Sequence, residues 1–387
     1  MNRPLTVPVP LAHARGSVAL MSLVPHSAFR VPHSALFMSQ VRLTRRAFLR
    51  AQASTVRRLA LGALALVSVR HARTAAAQDA KGGNPFAYDV GRFEATDPKL
   101  VRYQEVARFR SPRAEARRLA FGPDGQLYVA AGNYVTVMRT DGSVVSELAL
   151  SSPPRCVAVA KDGLIYVGFR ERIEVYEASG QRQAAWDSPR GRPWFTGLAI
   201  GENDVFAADA GNRVVLRYDW TGKLVGRIGA KDKDRQVPGL VLPSPYLDVE
   251  LYKDGLLRVN NPGRHRVEVY TVDGDLEFFW GKASAAIDGF CGCCNPINLA
   301  LLPDGRCVTC EKGLPRVKVY RANGEFDCVV AGPESFPENA RVGAGEGTGD
   351  GVKAGLDVVV DAQERLYVLD FVAGNVRVLA PKPAAPA

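Results

Sequence analysis

One unit recurs along this chain from Leu119 onward, and a chain that repeats a strand-rich unit has few ways to bury its faces. The first copy reads Leu119-Ala-Phe-Gly-Pro-Asp-Gly-Gln-Leu-Tyr-Val129, then Val135-Thr-Val-Met138, then an Asp141-Gly142 turn. Further copies begin at Val157, Leu198, Leu247, Leu299 and Leu356. Alternating apolar residues bounded by Asp-Gly or Asn-Gly turns indicate strands joined as hairpins. Four such strands in roughly 40–45 residues is the period of a propeller blade. The last copy ends at Val376-Arg-Val-Leu-Ala380 and then Pro381, one strand short. The β-rich segment at residues 101–109 precedes the first copy and has no blade of its own. It is expected to supply the missing outer strand, because an open edge would invite pairing with another chain. The expected fold is all-β, a six-bladed propeller of four-stranded blades over residues 100–381, closed by its N-terminal strand.

The chain ahead of the repeat is different in kind. Residues 1–78 hold eleven Arg and no Asp or Glu, so the net charge of +10 belongs to this stretch. From Asp79 onward 39 basic residues face 40 acidic ones, which removes the basic surface that nucleic-acid binding needs. Thr44-Arg-Arg-Ala-Phe-Leu-Arg50 precedes an eleven-residue apolar run at 59–69, too short for a membrane helix of about 20 residues. Ala75-Ala76-Ala77 before Gln78 provides a small-residue cleavage site. This order resembles a twin-arginine export signal over residues 38–78, which implies a periplasmic or extracellular protein without a membrane span after cleavage. Residues 1–37, with a tandem Val-Pro-His-Ser-Ala repeat, are expected to be an over-extended, disordered start ahead of Met38. Residues 79–99 read as a linker and 382–387 as a disordered tail.

Three segments carry a closer resemblance: Asp209-Ala-Gly-Asn-Arg-Val214, Arg264-His-Arg-Val267 and Pro315-Arg-Val317, each leading into a Val-x-Tyr-like strand. They resemble NHL-repeat propellers, a group that includes both enzymes and binding modules. His265, the one His outside the leader, falls at that repeat's own His position, which implies a packing role.

The connections between blades lengthen at about 230–246, 281–297 and 333–355, on one rim, and insertions on one face usually mark the binding face. The Gly-rich stretch 343–351 lacks a phosphate-loop Lys and reads as a mobile cover.

All seven Cys lie in the repeat region, and Phe290-Cys-Gly-Cys-Cys-Asn-Pro296 is its most unusual segment. Some exported NHL-repeat proteins carry a similar Gly-Cys-Cys-Asn-Pro segment followed by Glu-Lys-Gly, here Glu311-Lys-Gly313. Cys307 and Cys328 are separated by an intervening strand, about 9.5 Å, beyond disulfide reach; with Cys156 they are expected to be buried single thiols. Cys291, Cys293, Cys294 and Cys310 share a rim. They could form disulfides, including a Cys293–Cys294 bridge, or a thiolate site for Cu(I), Zn or an iron–sulfur cluster, or remain unpaired. Arg170, Asp209, Asn260, Asn261, Glu311 and Asp370 end second strands and form an expected polar ring at the channel mouth, able either to hold Ca²⁺ or to cap loops. Two functions follow. The first is an exported module that binds a small molecule or protein through the long-loop face of blades 4–6. The alternative is an oxidoreductase or lyase holding a metal or quinone-type cofactor at the Cys cluster. A structural role in a surface assembly is a third reading.

Overall fold

A computed structural model describes residues 90–187, 189–342 and 354–383. The leader, most of the linker, the Gly-rich stretch 343–351 and the last four residues lie outside the described residues. The described strands form six four-stranded antiparallel sheets, at 116–149, 156–186, 195–228, 249–280, 298–331, and 356–381 with 103–110. No helix among the described residues is long and apolar enough to cross a membrane.

Ring closure follows from the sixth sheet. Its order from outside inward is Tyr103–Arg110, Asn375–Pro381, Leu366–Asp370 and Leu356–Val360. The N-terminal strand pairs antiparallel with the C-terminal one from Tyr103 opposite Pro381 to Arg110 opposite Asn375. Tyr103 is buried there, so closure also completes a core. The final blade thus joins the two ends of the propeller.

In blades 1, 2, 4 and 5 the hairpin between first and second strands is set by side-chain chemistry. Asp124, Asp162, Asp254 and Asp304 each accept the N–H two residues on, which closes the turn locally. Gly163 and Gly255 then take positive φ, 86° and 79°. In the sixth blade Glu364 holds the corresponding left-handed position, at φ 58°.

The apolar faces bury into six clusters, each lying chiefly at one blade junction. Trp186, from an outer strand of blade 2, packs on Tyr218 of blade 3 with ring centroids 5.2 Å apart. Trp280 of blade 4 does the same on Tyr320 of blade 5, at 4.7 Å. Tilted aromatic pairs of this kind add to area burial by about 0.5–1.5 kcal/mol each. The strand register sets Val249 and Val358, rather than Leu247 and Leu356, level with Leu119, Val157, Leu198 and Leu299. Because side chains alternate along a strand, the residues one before and one after these positions share the opposite face of each inner strand.

Candidate functional site

The residue just before each of these levels is Arg118, Cys156, Gly197, Asp248, Asn298 or Asp357. Arg118 reaches across the channel and hydrogen-bonds Asp248 Oδ1 from Nη2. Its Nη1 donates to Asn298 Oδ1 at 2.8 Å and lies 3.2 Å from Asp357 Oδ1. Three other blades therefore hold one guanidinium. The same acceptors tie neighbouring inner strands together: Asp357 Oδ2 accepts the Leu119 N–H at 2.7 Å, and Asp248 Oδ2 the Leu299 N–H at 3.0 Å. Asn298 Nδ2 donates to Leu356 O at 2.8 Å. Gly197 leaves the room for this arrangement, since a Cβ there would stand 2.5 Å from Asp248 Oδ1. Burial pushes the Asp357 carboxyl up to about 6, against the opposing pull of Arg118.

Above this ion-paired plug, on the rim where the inner strands begin, lies a shallow cleft of about 40 Å³. Arg118 and Asn298 form its floor; Arg117, Arg155, Trp194, Thr196, Tyr246 and Phe371 line it. The Arg155 guanidinium lies 5.8 Å from the centre of the Trp194 ring, and Arg170 covers the same ring at 4.2 Å. Tyr246 is anchored by its hydroxyl to Ala354 O at 2.5 Å, and Lys312 Nζ stands 4.6 Å from its ring centre. Cations and aromatic faces from different blades thus converge on one concave surface. Such a cleft favours an anion with a flat or apolar body. Sequence reasoning placed a site on this rim but over blades 4–6; the cleft draws on blades 1, 2, 3, 4 and 6 around a floor that includes Asn298 of blade 5. Alternation along the inner strands marks which residues share a face, but not which of them meet across the ring.

The Cys-rich loop sits beside this cleft, held by an altered blade 5. Blades 2 and 4 carry Arg172-Ile-Glu174-Val-Tyr176 and Arg266-Val-Glu268-Val-Tyr270 on their third strands, with the Glu bonded to both Arg and Tyr. Blade 5 has Arg316-Val-Lys318-Val-Tyr320, a cation where the others have an acid. Glu311, at the end of the neighbouring strand, supplies the missing charge. It pairs with Arg316 at 2.8 Å and Lys318 at 2.7 Å, all three buried. Burial works to raise the Glu311 carboxyl, but Lys318 and Arg316 outweigh it and hold it below its ordinary value. Burial pushes the Lys318 ammonium down to about 8. Arg316 and Lys318 also donate to the carbonyls of Ala285, Ile287 and Gly289, and Glu311 accepts the Cys291 N–H. Asn295 completes the frame, donating to Cys291 O and Lys312 O and accepting the Lys312 N–H.

All seven cysteines are unpaired thiols. Cys293 and Cys294 lie with their sulfurs 3.3 Å apart, Cys293 exposed and Cys294 buried. Cys291 is half-buried on the same loop, whereas Cys310 turns into the apolar core shared with blade 6, beside Ile297 and Leu356. The four sulfurs therefore do not gather around one point, and among the described residues no three His, Cys, Asp or Glu side chains are placed to share a metal ion. The hydrogen bond to Cys294 raises the Cys293 thiol, and burial raises Cys291. Neither is an activated thiolate. Cys156, Cys307 and Cys328 are buried, with Cys156 in the core between blades 2 and 3.

The six residues of the expected polar ring each engage local partners. Asp209 accepts the backbone N–H groups of Trp194 and Asn212, and Asp370 those of Val372 and Ala373. Asn260 bonds the Asp248 N–H and the Pro296 and Ile297 carbonyls, tying blade 4 to blade 5. Asn261 links the Val241 N–H to Glu268. Glu311 serves the blade 5 cluster, and Arg170 is exposed on Trp194. Local backbone donors occupy these oxygens because strand ends leave N–H groups without ladder partners. His265 takes a left-handed conformation at a short 3₁₀ turn, and its Nε2 meets Gly292 O, bracing the Cys loop from blade 4.

No protein-family model matches the chain, and no curated protein matches it. Solved structures do resemble it. A virginiamycin B lyase from Staphylococcus aureus aligns over 72% of this chain and 100% of its own, at 13% identity and TM-score 0.49. U3-55K aligns over 69% and 77%, at 13% identity and TM-score 0.47. A streptogramin B lyase aligns over 72% of this chain and 97% of its own, at 14% identity and TM-score 0.50, a likeness of fold that places this chain among six-bladed β-propellers.

Proposed function

We propose that this chain is an exported ligand-binding propeller of the NHL-repeat kind, which takes a small organic anion with an aromatic or apolar body at its channel mouth. The observation that carries this reading is the convergence of Arg117 and Arg155 with Trp194, Tyr246 and Phe371 on one cleft. The closed floor favours capture at the rim over passage through the ring. Export by the leader's paired-arginine segment, and hence a periplasmic or extracellular site of action, belongs to the same proposal. Structural neighbours that are lyases share the architecture but transfer no residue roles at this identity.

The test is a fluorescence titration of the exported protein with aromatic carboxylates and their neutral amides. Saturable quenching by the acids and not the amides is expected, with the signal lost in Trp194→Phe. Each charge-assisted hydrogen bond is worth about 1.5–3 kcal/mol, so Arg155→Ala should weaken binding at least about tenfold. Equal binding of acid and amide, or none at millimolar concentration, overturns the proposal.

The adjacent Cys293 and Cys294 sulfurs favour a second reading, in which the pair contributes two thiolates to a metal in an oxidoreductase or lyase. Metal analysis of exported protein tests it: stoichiometric metal absent from Cys293→Ser supports it, and metal-free wild type refutes it.

A further inference from the structure

Below the Arg118 plug, the channel opens again toward the opposite rim as a well of about 270 Å³. One residue past each inner-strand level, its wall presents Ala120, Ala158, Ala199, Ala300 and Val359, and, from blade 4 alone, Glu250. Five small apolar side chains and one carboxylate form an unequal ring. Larger apolar side chains, Leu119, Leu198, Ile200 and Leu251 among them, complete the wall.

The charges around Glu250 can be followed blade by blade. Blade 1 contributes Arg118; blade 6 contributes Asp357; blade 4 itself contributes Asp248. Blades 2, 3 and 5 present Cys156, Gly197 and Asn298 at the same depth. The single guanidinium is already engaged by Asp248 and Asp357. Glu250 accepts no hydrogen bond among the described residues, and only charges at a distance act on it. Glu250 is half-buried, and a carboxylate facing an apolar wall without a partner is disfavoured; a cation that also covers that wall would relieve it.

We infer that this well is a second binding site, for a small primary alkylammonium ion whose charged head pairs with Glu250 and whose chain lies against the alanine ring. Burial pushes the Glu250 carboxyl up to about 8, with Asp248 and Asp357 adding to the effect and Arg118 opposing it. The empty well therefore holds Glu250 protonated at neutral pH, and binding a cation releases that proton. Affinity should rise about tenfold between pH 7 and pH 9, as the ionised fraction of Glu250 rises, and fall again as the amine itself loses its charge near pH 10.4.

Calorimetric titration of the intact exported protein with n-butylammonium, at pH 7, 8 and 9, tests this, with n-butanol as the uncharged control. The expected result is saturable binding of the ammonium that strengthens with pH, and none of the alcohol. Glu250→Gln should weaken it at least tenfold and abolish the pH dependence. Ala300→Leu, which fills the wall and leaves every charge in place, should block it independently. Trp194→Phe and Arg155→Ala should leave it unchanged, so failure of the mouth site and failure of the well are read separately. Absence of binding at 10 mM at pH 9, or wild-type affinity in either Glu250→Gln or Ala300→Leu, overturns the inference.

Discussion

Replacing Arg118 with Met tests the plug directly. The substitution keeps most of the side chain's length but leaves Asp248 and Asp357, 0% and 1% exposed, facing each other without a cation. Breaking a buried pair by removing one partner costs about 3–5 kcal/mol, because the orphaned charge remains buried. At about 2–4 °C per kcal/mol for a domain approaching this size, the melting temperature should fall by about 6–20 °C at pH 8. The deficit should also depend on pH. Asp357 in the folded protein titrates at about 6, above the roughly 3.9 of an unfolded Asp, so its protonation favours folding. Its stabilising contribution is complete below pH ~4 and lost as the pH rises past about 6. Arg118 pulls that value down, so its removal raises it further and spreads the loss upward. The Arg118→Met deficit should therefore be smaller at pH 5 than at pH 8. Adding Asp248→Asn and Asp357→Asn should recover part of it, with a coupling energy above the ~0.5 kcal/mol seen between independent sites. Thermal and urea unfolding at pH 5, 6.5 and 8 measure all of this. A loss below 1 kcal/mol at pH 8, or one that does not change with pH, would refute the reasoning.

Two further outcomes follow from the same structure. Glu311→Gln leaves Arg316 and Lys318 buried without an acid and should cost about 3–5 kcal/mol, with faster proteolysis at 281–297. Because Lys318 is depressed to about 8, its charge burdens the fold below that pH, so the deficit should shrink between pH 7 and 9.5; a pH-independent loss would contradict it. A protein starting at residue 112 instead of 90 lacks the closing strand, exposes the Asn375–Pro381 edge and forfeits at least about 2 kcal/mol from Tyr103 burial alone. Size-exclusion chromatography should show association, and an unchanged monomer with the wild-type melting point would argue against closure by that strand.

What could be read along the chain was whatever repeats locally. Alternation, Asp-Gly turns and a last copy one strand short were enough for six blades and for closure by the segment near Tyr103, because hairpins form between neighbours in sequence. The long-loop rim was visible for the same reason. The second-strand ends were harder: Asp209 and Asp370 have the composition of a cation ring, yet nearby backbone N–H groups take their oxygens. Cys310 shared a rim with Cys291–Cys294 on paper, but strand register turned it toward blade 6. The plug, the cleft and the well were invisible, since Arg118 meets Asp248 across 130 residues and Leu119 meets Asp357 across 238. A closed ring brings one inner-strand residue from every blade to the same axis, and only that geometry decides which lone Arg, Asp or Glu finds a partner and which is left facing a cavity.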